Sequence, residues 1–167
     1  MQAPEPRRLD PSDYRHVVSR YATGITVVST IADGRRHGLT VNSFTSLSLD
    51  PLLAMFGCEL DAALHAPLMH AGVWGVSVLG ADQQPAAAYF ATRERPGAGP
   101  DQFDGWPSRP GPVTGVPLLD GCLAWLEFRT WRSYDGGDHT IVIGEVVGME
   151  TGADGPPLLY FRSEYRA

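Results

Sequence analysis

The chain has 167 residues and a mass of 18.1 kDa, which is enough for one domain with its own hydrophobic core and too little for two. Its net charge of −6 and the lack of a long arginine run argue against a nucleic-acid-binding protein. All 13 basic residues are arginine, and the absence of lysine excludes Schiff-base enzymes and P-loop nucleotide-binding proteins.

Membrane-spanning and secretory segments are not evident. No stretch approaches the ~18 apolar residues of a membrane span, and the first residues, MQAPEPRRLD, lack the apolar region of a signal peptide. We therefore expect a cytoplasmic protein. Cys58 and Cys122 each lie in an apolar, strand-like run, so two buried thiols are expected rather than a disulfide.

The first predicted element is a helix that begins at Asp10-Pro11. Asp can cap free N–H groups at a helix start, and Pro suits the first helical turn. Apolar residues then recur at helical spacing from Tyr14 to Tyr21, and Gly24 is expected to end the helix.

Strands dominate the rest of the chain. The predicted elements are a strand at 25–31, a turn at Asp33-Gly34 lengthened by Arg35 and Arg36, strands at 37–49 and 52–58, a helix at 62–71, a strand at 73–79, a helix at 82–92, a loop rich in Gly and Pro at 93–117, long strands at 122–134 and 139–150, and a short strand at 157–161. This order favours a mainly β domain at 10–167, built as an antiparallel barrel, after a loose leader at 1–9.

Several common functional motifs are absent. The sequence contains no G-x-G-x-x-G, so a Rossmann nucleotide site is unsupported, and no G-x-S-x-G of a serine hydrolase. It has no C-x-x-C or H-E-x-x-H, and His65 and His70 are poorly spaced for one helical face. We therefore predict no metal site.

Two polar segments are unusual for a plain barrel. Residues 38–51 carry five hydroxyl groups and Asn42, the one asparagine of the chain, which suits a flat polar ligand that needs donors and acceptors. An edge strand with a solvated face would give the same pattern. In the second segment, Gly137-Asp138-His139 leads into an apolar strand, which places an imidazole at the barrel rim. A single turn histidine is more often structural or exposed.

Together with other motifs, these segments resemble the flavin reductase-like family, the small FMN-binding split-barrel reductases of two-component monooxygenases. The motifs are YATGITVVST, HGLTVNSFTSLSLDPLL with Cys58, YFA at 89–91, DQF at 101–103, GVPLLDGCLAWLEF and GDHTIVIGEV. They occur in order between about Arg15 and Tyr160, which is most of the chain. The resemblance implies a Greek-key antiparallel split β-barrel.

The same resemblance implies a function and a set of residues. FMN, less often FAD, would bind between the subunits of a homodimer, be reduced by NADH or NADPH, and pass to a partner monooxygenase. The isoalloxazine ring would be lined by Thr40, Val41, Asn42 and Ser43, the ribityl chain by Ser46 and Ser48, the phosphate loop would begin at Cys58 and Glu59, and Phe90 and Ala91 would flank the site. His139 would lie at the nicotinamide pocket, positioning the ligand rather than transferring a proton.

One part of the sequence departs from the family pattern. The loop after the cysteine carries Ala62 and Ala63 where the family usually has phosphate-binding hydroxyls. Glu59 and Asp61 would repel a phosphate dianion, while Arg93 or Arg95 and the N–H groups at the start of the 62–71 helix would compensate. Riboflavin therefore stays open as an alternative flavin.

Two other functions remain open at this stage. One is an oxidase or oxygenase of a biosynthetic pathway that retains its flavin, and the other is a non-catalytic flavin- or ligand-binding barrel. The homodimer has a second argument, because strand alternation puts Trp125 and Trp131 on one face with Glu127 and Arg129. Such a mixed face suits an interface better than a core.

Overall fold

The chain is described here in a computed structural model over residues 9–93 and 101–167, which contain three α-helices and twelve strands. The helices are α1 (Pro11–Val18), α2 (His65–Ala71) and α3 (Gln84–Ala91). The strands are β1 (Thr23–Gly24), β2 (Thr26–Ala32), β3 (Arg35–Val41), β4 (Thr45–Leu49), β5 (Leu52–Glu59), β6 (Val73–Val78), β7 (Ser108–Pro110), β8 (Pro117–Leu119), β9 (Ala124–Asp135), β10 (His139–Thr151), β11 (Leu159–Phe161) and β12 (Glu164–Arg166).

Two predicted features fall wholly or largely outside those residues: the leader, apart from Leu9, and Arg95 in the long loop. Within the described ranges the longest helices have eight residues. None of them is long and apolar enough to cross a bilayer, which takes ~20 residues.

Seven strands form one antiparallel sheet in the order β3-β2-β6-β9-β10-β5-β4. Six of these strands contribute buried side chains to a single core, which includes Val28, Val41, Phe56, Trp74 and Val142. Because strands from across the sheet reach the same core, the sheet must curl around it. This confirms the prediction of a mainly β, antiparallel barrel.

Aromatic rings fill the centre of this core. Trp74 stacks on Phe128 with ring centroids 4.0 Å apart and an interplanar angle of 13°, and Phe56 meets the same indole edge-on at 5.0 Å. Gly144 lies beside this stack, where a Cβ atom would overlap Trp74, so only glycine fits. Leu64 and Leu68, before and within α2, cover one end of the barrel.

A second core lies on the outside of the sheet. There α3 and residues 101–119 pack over β2 and β9, burying Phe90, Phe103 and Trp125. A Cβ atom at Gly38 would lie 2.7 Å from the Phe90 ring, so the glycine permits this close packing. α3 is thereby fixed beside the end of β3, where the polar segment begins.

Local boundaries differ from the sequence prediction at several points. Arg35 and Arg36 belong to β3 rather than to a loop, because Asp33 and Gly34 both adopt left-handed φ angles, 51° and 71°, and close a two-residue hairpin. The predicted strand 37–49 is broken at 42–44 into β3 and β4. The predicted helix 62–71 begins only at His65.

The ends of the domain also differ. α1 ends at Val18, capped by Ser19, rather than near Gly24, and none of its residues is buried. The loop 93–117 contains the short strand β7, and its last residue begins β8. The final strand covers Leu159–Phe161 and turns back into β12, a hairpin that the sequence prediction missed.

The interface argument from Trp125 is wrong. Trp125 is 8% exposed and its indole N–H donates to the Leu119 carbonyl at 2.6 Å, while Glu127 is 2% exposed. The alternation of faces also fails because the β9–β10 register shifts opposite Trp131. Trp131 itself is 46% exposed, so this residue still faces outward.

Candidate functional site

Ser43 and His139 flank the same short stretch of β5, although 96 residues separate them in the chain. The Gly57 N–H donates to Ser43 Oγ at 3.0 Å. A Cβ atom at Gly57 would lie 3.4 Å from His139 Cδ2 and 3.7 Å from Ser43 Oγ. The absence of a side chain at Gly57 therefore leaves a strip of bare backbone between a hydroxyl and an imidazole.

His139 is oriented by its neighbour Asp138. Nδ1 of the imidazole lies 2.7 Å from Asp138 Oδ1, and since a carboxylate can only accept, Nδ1 carries the proton. In the tautomer with this proton, Nε2 is an acceptor. The hydrogen bond from His139 lowers the pKa of Asp138 below the ordinary value, so Asp138 is ionised at neutral pH.

Three charged residues lie beside His139. Glu59 pairs directly with His139 across β5 and β10, and its carboxylate accepts from Arg93 at 2.6 Å. A second N–H of Arg93 donates to Asp61 at 2.5 Å. Hydrogen bonds to Asp61 and Glu59 raise the pKa of Arg93 above its ordinary value. The structure thus brings together three residues that the sequence associated with the phosphate loop.

This cluster is open to solvent, since all three side chains are roughly half exposed or more. In the loop before α2, the N–H groups of Ala62 and His65 already donate to the Glu59 and Ala62 carbonyls. With two carboxylates on one guanidinium, the cluster carries a net charge of −1. A phosphate group here would compete with carboxylates already bound to Arg93.

A small cleft of about 180 Å³ lies next to the strip. Thr40, Asn42 and Ala91, all predicted site residues, line it together with Ile25, Tyr160 and Tyr165. Thr40 donates its hydroxyl to the Ala87 carbonyl at 2.8 Å, which ties β3 to α3. The amide of Asn42 is exposed and makes no hydrogen bond to any residue that the structure describes.

Tyr160 and Tyr165 were not predicted as site residues. Their rings meet edge-on with centroids 5.5 Å apart, and burial raises the pKa of Tyr165 above its ordinary value. β11 reaches the cleft because it pairs with β1, where Tyr160 lies opposite Thr23. The spacing Tyr-x-x-x-x-Tyr around a turn is the available sequence signal, but it does not say where the hairpin docks.

Three predicted residues have buried side chains. Val41, Cys58 and Phe90 are 7%, 0% and 0% exposed, so each could contact a ligand only through its backbone. Burial raises the pKa of the Cys58 thiol to about 11, with the Glu59 charge adding to the effect, so Cys58 is a packed neutral thiol. Phe90 acts indirectly, by fixing α3 and hence the adjacent Ala91.

Ser46 and Ser48 lie on β4, the edge strand of the sheet. The β4–β5 pairing shifts register between Ser46 and Ser48, so the two side chains do not follow the face alternation of a regular strand. Ser48 Oγ accepts the Asp50 N–H at 3.2 Å and helps to form the turn into β5. Ser46 is exposed and stays available to a ligand on this edge.

The site as a whole suits a flat, partly polar ring. The bare strip at Gly57 lets a ring approach the backbone, and the free Asn42 amide offers both a donor and an acceptor at its edge. Thr23 Oγ1, on the strand that pairs with Tyr160, is a buried hydroxyl without a hydrogen-bond partner in the described part of the chain. These features fit the isoalloxazine ring of a flavin better than they fit the phosphate group of a flavin nucleotide.

Similarity to known proteins agrees with this geometry. NADH-dependent FAD reductase of Streptomyces globisporus is 43% identical over 148 residues, covering 87% of this chain and 80% of its own length. The reductase subunit HsaB of a flavin-dependent monooxygenase from Rhodococcus jostii (strain RHA1) is 34% identical over 159 residues, covering 94% and 77%.

A solved structure gives the same result for the fold. BorF, the flavin reductase component of a bacterial two-component tryptophan halogenase, matches with a TM-score of 0.86 and 45% identity, covering 94% of this chain and 97% of its own. The family model for the flavin reductase like domain matches residues 18–167. The chain therefore belongs to the flavin reductase-like family of split-barrel proteins.

Proposed function

We propose that the protein is an NAD(P)H-dependent flavin reductase that supplies reduced flavin to a partner monooxygenase. The observation that carries the proposal is the bare strip at Gly57, flanked by Ser43 and by a histidine whose tautomer is fixed. When bound, the flavin supplies the chemistry, since its ring accepts a hydride from the nicotinamide. The protein needs no acid–base group of its own and contributes placement of the two ligands.

Different residues around the strip position the flavin and the nicotinamide. Asn42 and Ser43 hold the polar edge of the ring, and Thr40 with Ala91 bounds the cleft beside it. His139 accepts a hydrogen bond at Nε2 from the carboxamide of the nicotinamide. Asp138, which accepts the Nδ1 proton, selects the neutral tautomer in which Nε2 is the acceptor.

The Arg93 cluster supports a flavin that binds and leaves rather than one that stays. A flavin phosphate would have to displace Glu59 or Asp61 from Arg93, and the alanines at 62 and 63 offer no hydroxyl. Loose binding is what a diffusible product requires. FMN, FAD and riboflavin remain the candidate acceptors, and both NADH and NADPH the candidate donors, with NADH favoured by the names of the relatives.

We further propose a homodimer in the cytoplasm. α1 exposes Tyr14 and Val17 at 65% and 68%, Tyr21 just after it is 74% exposed, and β9 exposes Trp131 and Tyr134 at 46% and 48%. Apolar surface of this kind is typical of protein interfaces. Two free cysteines suit a reducing compartment.

The test is NADH and NADPH oxidation by the purified protein with free FMN, FAD or riboflavin in excess, followed at 340 nm. Multiple turnovers with a free flavin support the reductase. The same protein is passed through a gel-filtration column before the assay. A yellow protein that retains its flavin and does not turn over added flavin would indicate the oxidase or oxygenase alternative. No oxidation with any flavin would indicate a binding barrel.

A further inference from the structure

A basic cleft lies between α1 and the C-terminal hairpin formed by β11 and β12. Arg15 and His16 of α1, Arg20 of the turn after it and Arg162 of the hairpin tip line it, together with three serines, and its volume is about 560 Å³. Pockets for small molecules commonly have roughly 300–1,000 Å³. The chain carries a net charge of −6, yet none of the described residues lining this cleft is acidic.

The cleft uses one face of α1. Arg15 and His16 line the cleft together with Arg20 of the following turn, while Tyr14 and Val17 of α1 and the exposed Tyr21 do not line it. An interface on the apolar face would therefore leave the basic face free. Asp10 lies at the rim, where its carboxylate accepts hydrogen bonds from the backbone and hydroxyl of Ser12.

The arginines of the cleft have no carboxylate partner. Elsewhere Arg36, Arg93, Arg109 and Arg166 each pair with an acidic side chain, but within residues 9–93 and 101–167 no salt bridge involves Arg15, Arg20 or Arg162. Arg20 Nη2 lies 3.5 Å from His16 Nε2, and Arg162 lies over the Phe161 ring at 5.2 Å. Arg20 and Arg162 thus form no salt bridge with a described carboxylate, and their charge is available to an anion.

The hairpin tip has an unusual residue for its conformation. Arg162 and Ser163 have φ angles of 53° and 63°, the left-handed region in which Asn and Gly are less strained. The Arg162 N–H donates to the Ser19 carbonyl at 2.8 Å, so the tip is tied to α1. From this fixed tip, Arg162 lines the cleft opposite α1.

The charge of Arg15 links the cleft to the candidate site. The pKa of Asp138 is lowered mainly by its hydrogen bond with His139, and the charge of Arg15 adds to this effect. The electrostatic field of Arg15 therefore reaches the turn that carries His139. A ligand whose ring reached His139 could place a neighbouring phosphate among these arginines.

We propose that the basic cleft binds the diphosphate of a dinucleotide, the ADP half of NADH or of FAD. Planar guanidinium forks bind phosphate oxygens in pairs, and the two charges of Arg20 and Arg162 match the two negative charges of a dinucleotide's diphosphate. This inference rests on the proposed reductase function. Arg20 and Arg162 would then recognise the ADP half of the dinucleotide, which takes no part in hydride transfer.

The experiment compares the full-length protein with the double variant Arg20→Gln/Arg162→Asn. Asn suits the left-handed tip, so the hairpin should stay intact, and Arg15 is kept because it acts on Asp138. Arg166→Gln is the control, since it removes a charge from the same hairpin outside the cleft. ADP binding is measured by calorimetry at low salt, where we expect the double variant to lose about tenfold or more in affinity and the control less than twofold.

Kinetic measurements identify the dinucleotide. With riboflavin as acceptor, a KM for NADH raised about tenfold, with an unchanged KM for reduced nicotinamide mononucleotide, assigns the cleft to NADH. With the mononucleotide as donor, a raised KM for FAD but not for FMN assigns it to FAD. Unchanged ADP affinity in the double variant overturns the inference. An inactive wild-type protein that still binds ADP through these arginines overturns only the reductase function.

Discussion

At the scale of single residues, Asn42 has the most specific task, because its exposed amide lines the cleft and makes no hydrogen bond to any residue in the described ranges. We expect Asn42→Ala to weaken flavin binding by about 1–3 kcal/mol, the value of a matched hydrogen bond to a buried ring edge. Fluorescence quenching of the flavin measures this affinity. Thermal unfolding should be unchanged, since Asn42 is exposed and lies between strands.

Gln84→Ala is the matched control for Asn42, since Gln84 is an exposed amide on α3 outside the cleft. Its flavin affinity should equal that of the wild type. If Asn42→Ala folds normally and binds flavin as tightly as the control, the polar run is only an edge strand with a solvated face.

His139 is expected to act on the nicotinamide and not on the flavin. In His139→Ala the KM for NADH should rise, or reduction should slow, by about tenfold or more, while flavin affinity barely changes. Asp138→Asn should show a smaller defect of the same kind, because the ring loses its carboxylate partner and its fixed tautomer.

The competing role for His139 is bracing of the turn at 136–138. In that case both variants would melt at lower temperature, and both ligands would bind more weakly in proportion to unfolding. Wild-type melting with wild-type NADH kinetics would leave the histidine without either role.

The two thiols give a pH dependence whose sign is fixed by burial. Desolvation raises the pKa of Cys58 and of Cys122 to about 11 from an ordinary 9.0, so the unfolded chain loses these protons first. Their contribution to stability is complete below pH 9 and is lost as the pH rises towards 11. The double variant Cys58→Ala/Cys122→Ala should therefore lose less free energy of unfolding between pH 8.5 and 10.5 than the wild type. Urea denaturation at each pH measures this loss. Equal losses would contradict this assignment.

How far single residues can be predicted depends on whether their role is local. Asn42, Ser43 and His139 stand out in the sequence because a polar group interrupts an apolar strand pattern. Gly57 does not, since its importance lies in what its missing side chain exposes between two distant segments. Tyr160 and Tyr165 are missed for the same reason, because their position depends on the docking of β11 on β1.

At the scale of elements, one buried carboxylate holds a loop. Glu127 of β9 is 2% exposed and accepts the N–H groups of Val113 and Thr114 and the Thr114 hydroxyl, the last two at 2.6 Å. The loop 111–116 thereby covers the outer core. A glutamate in the middle of an apolar strand suggested an interface from sequence, whereas the structure satisfies it within the same chain.

We expect Glu127→Ala to lower the free energy of unfolding by about 2–3 kcal/mol, because it leaves three donors without acceptors. Glu150→Ala is the control, since Glu150 forms an exposed ion pair with Arg109 and should cost less than about 1 kcal/mol. Urea denaturation measures both. Similar losses in the two variants would show that the loop does not depend on Glu127.

Strand order and helix limits are where the sequence carries least information. Strand positions follow from β-branched runs and turn residues, which are local signals. The register shift opposite Trp131 is not local, because it depends on how β9 and β10 bend around Trp74 and Phe128. The end of α1 at Val18 is equally hard to predict from sequence, because the apolar residues of this helix do not pack on the rest of the chain.

At the scale of the whole molecule, apolar surface remains after both cores are filled. α1 has no buried residue, and an eight-residue helix is not stable in water without tertiary contacts. The helix therefore needs a partner surface, and a second copy of the chain offers one in the exposed outer face of β9 around Trp131 and Tyr134. A homodimer would cover apolar groups that one chain alone leaves in water.

We expect light scattering at micromolar concentration to give about 36 kDa, twice the 18.1 kDa of one chain. Val17→Asp/Tyr21→Asp places charges on the apolar face of α1 and should give the monomer mass. The barrel should keep its circular dichroism and melting behaviour as a monomer, because these side chains contact neither core. His16→Asp changes the opposite face of α1 and should stay dimeric. A wild-type protein of 18 kDa would refute the dimer, and a dimeric double variant would exclude α1 from its interface.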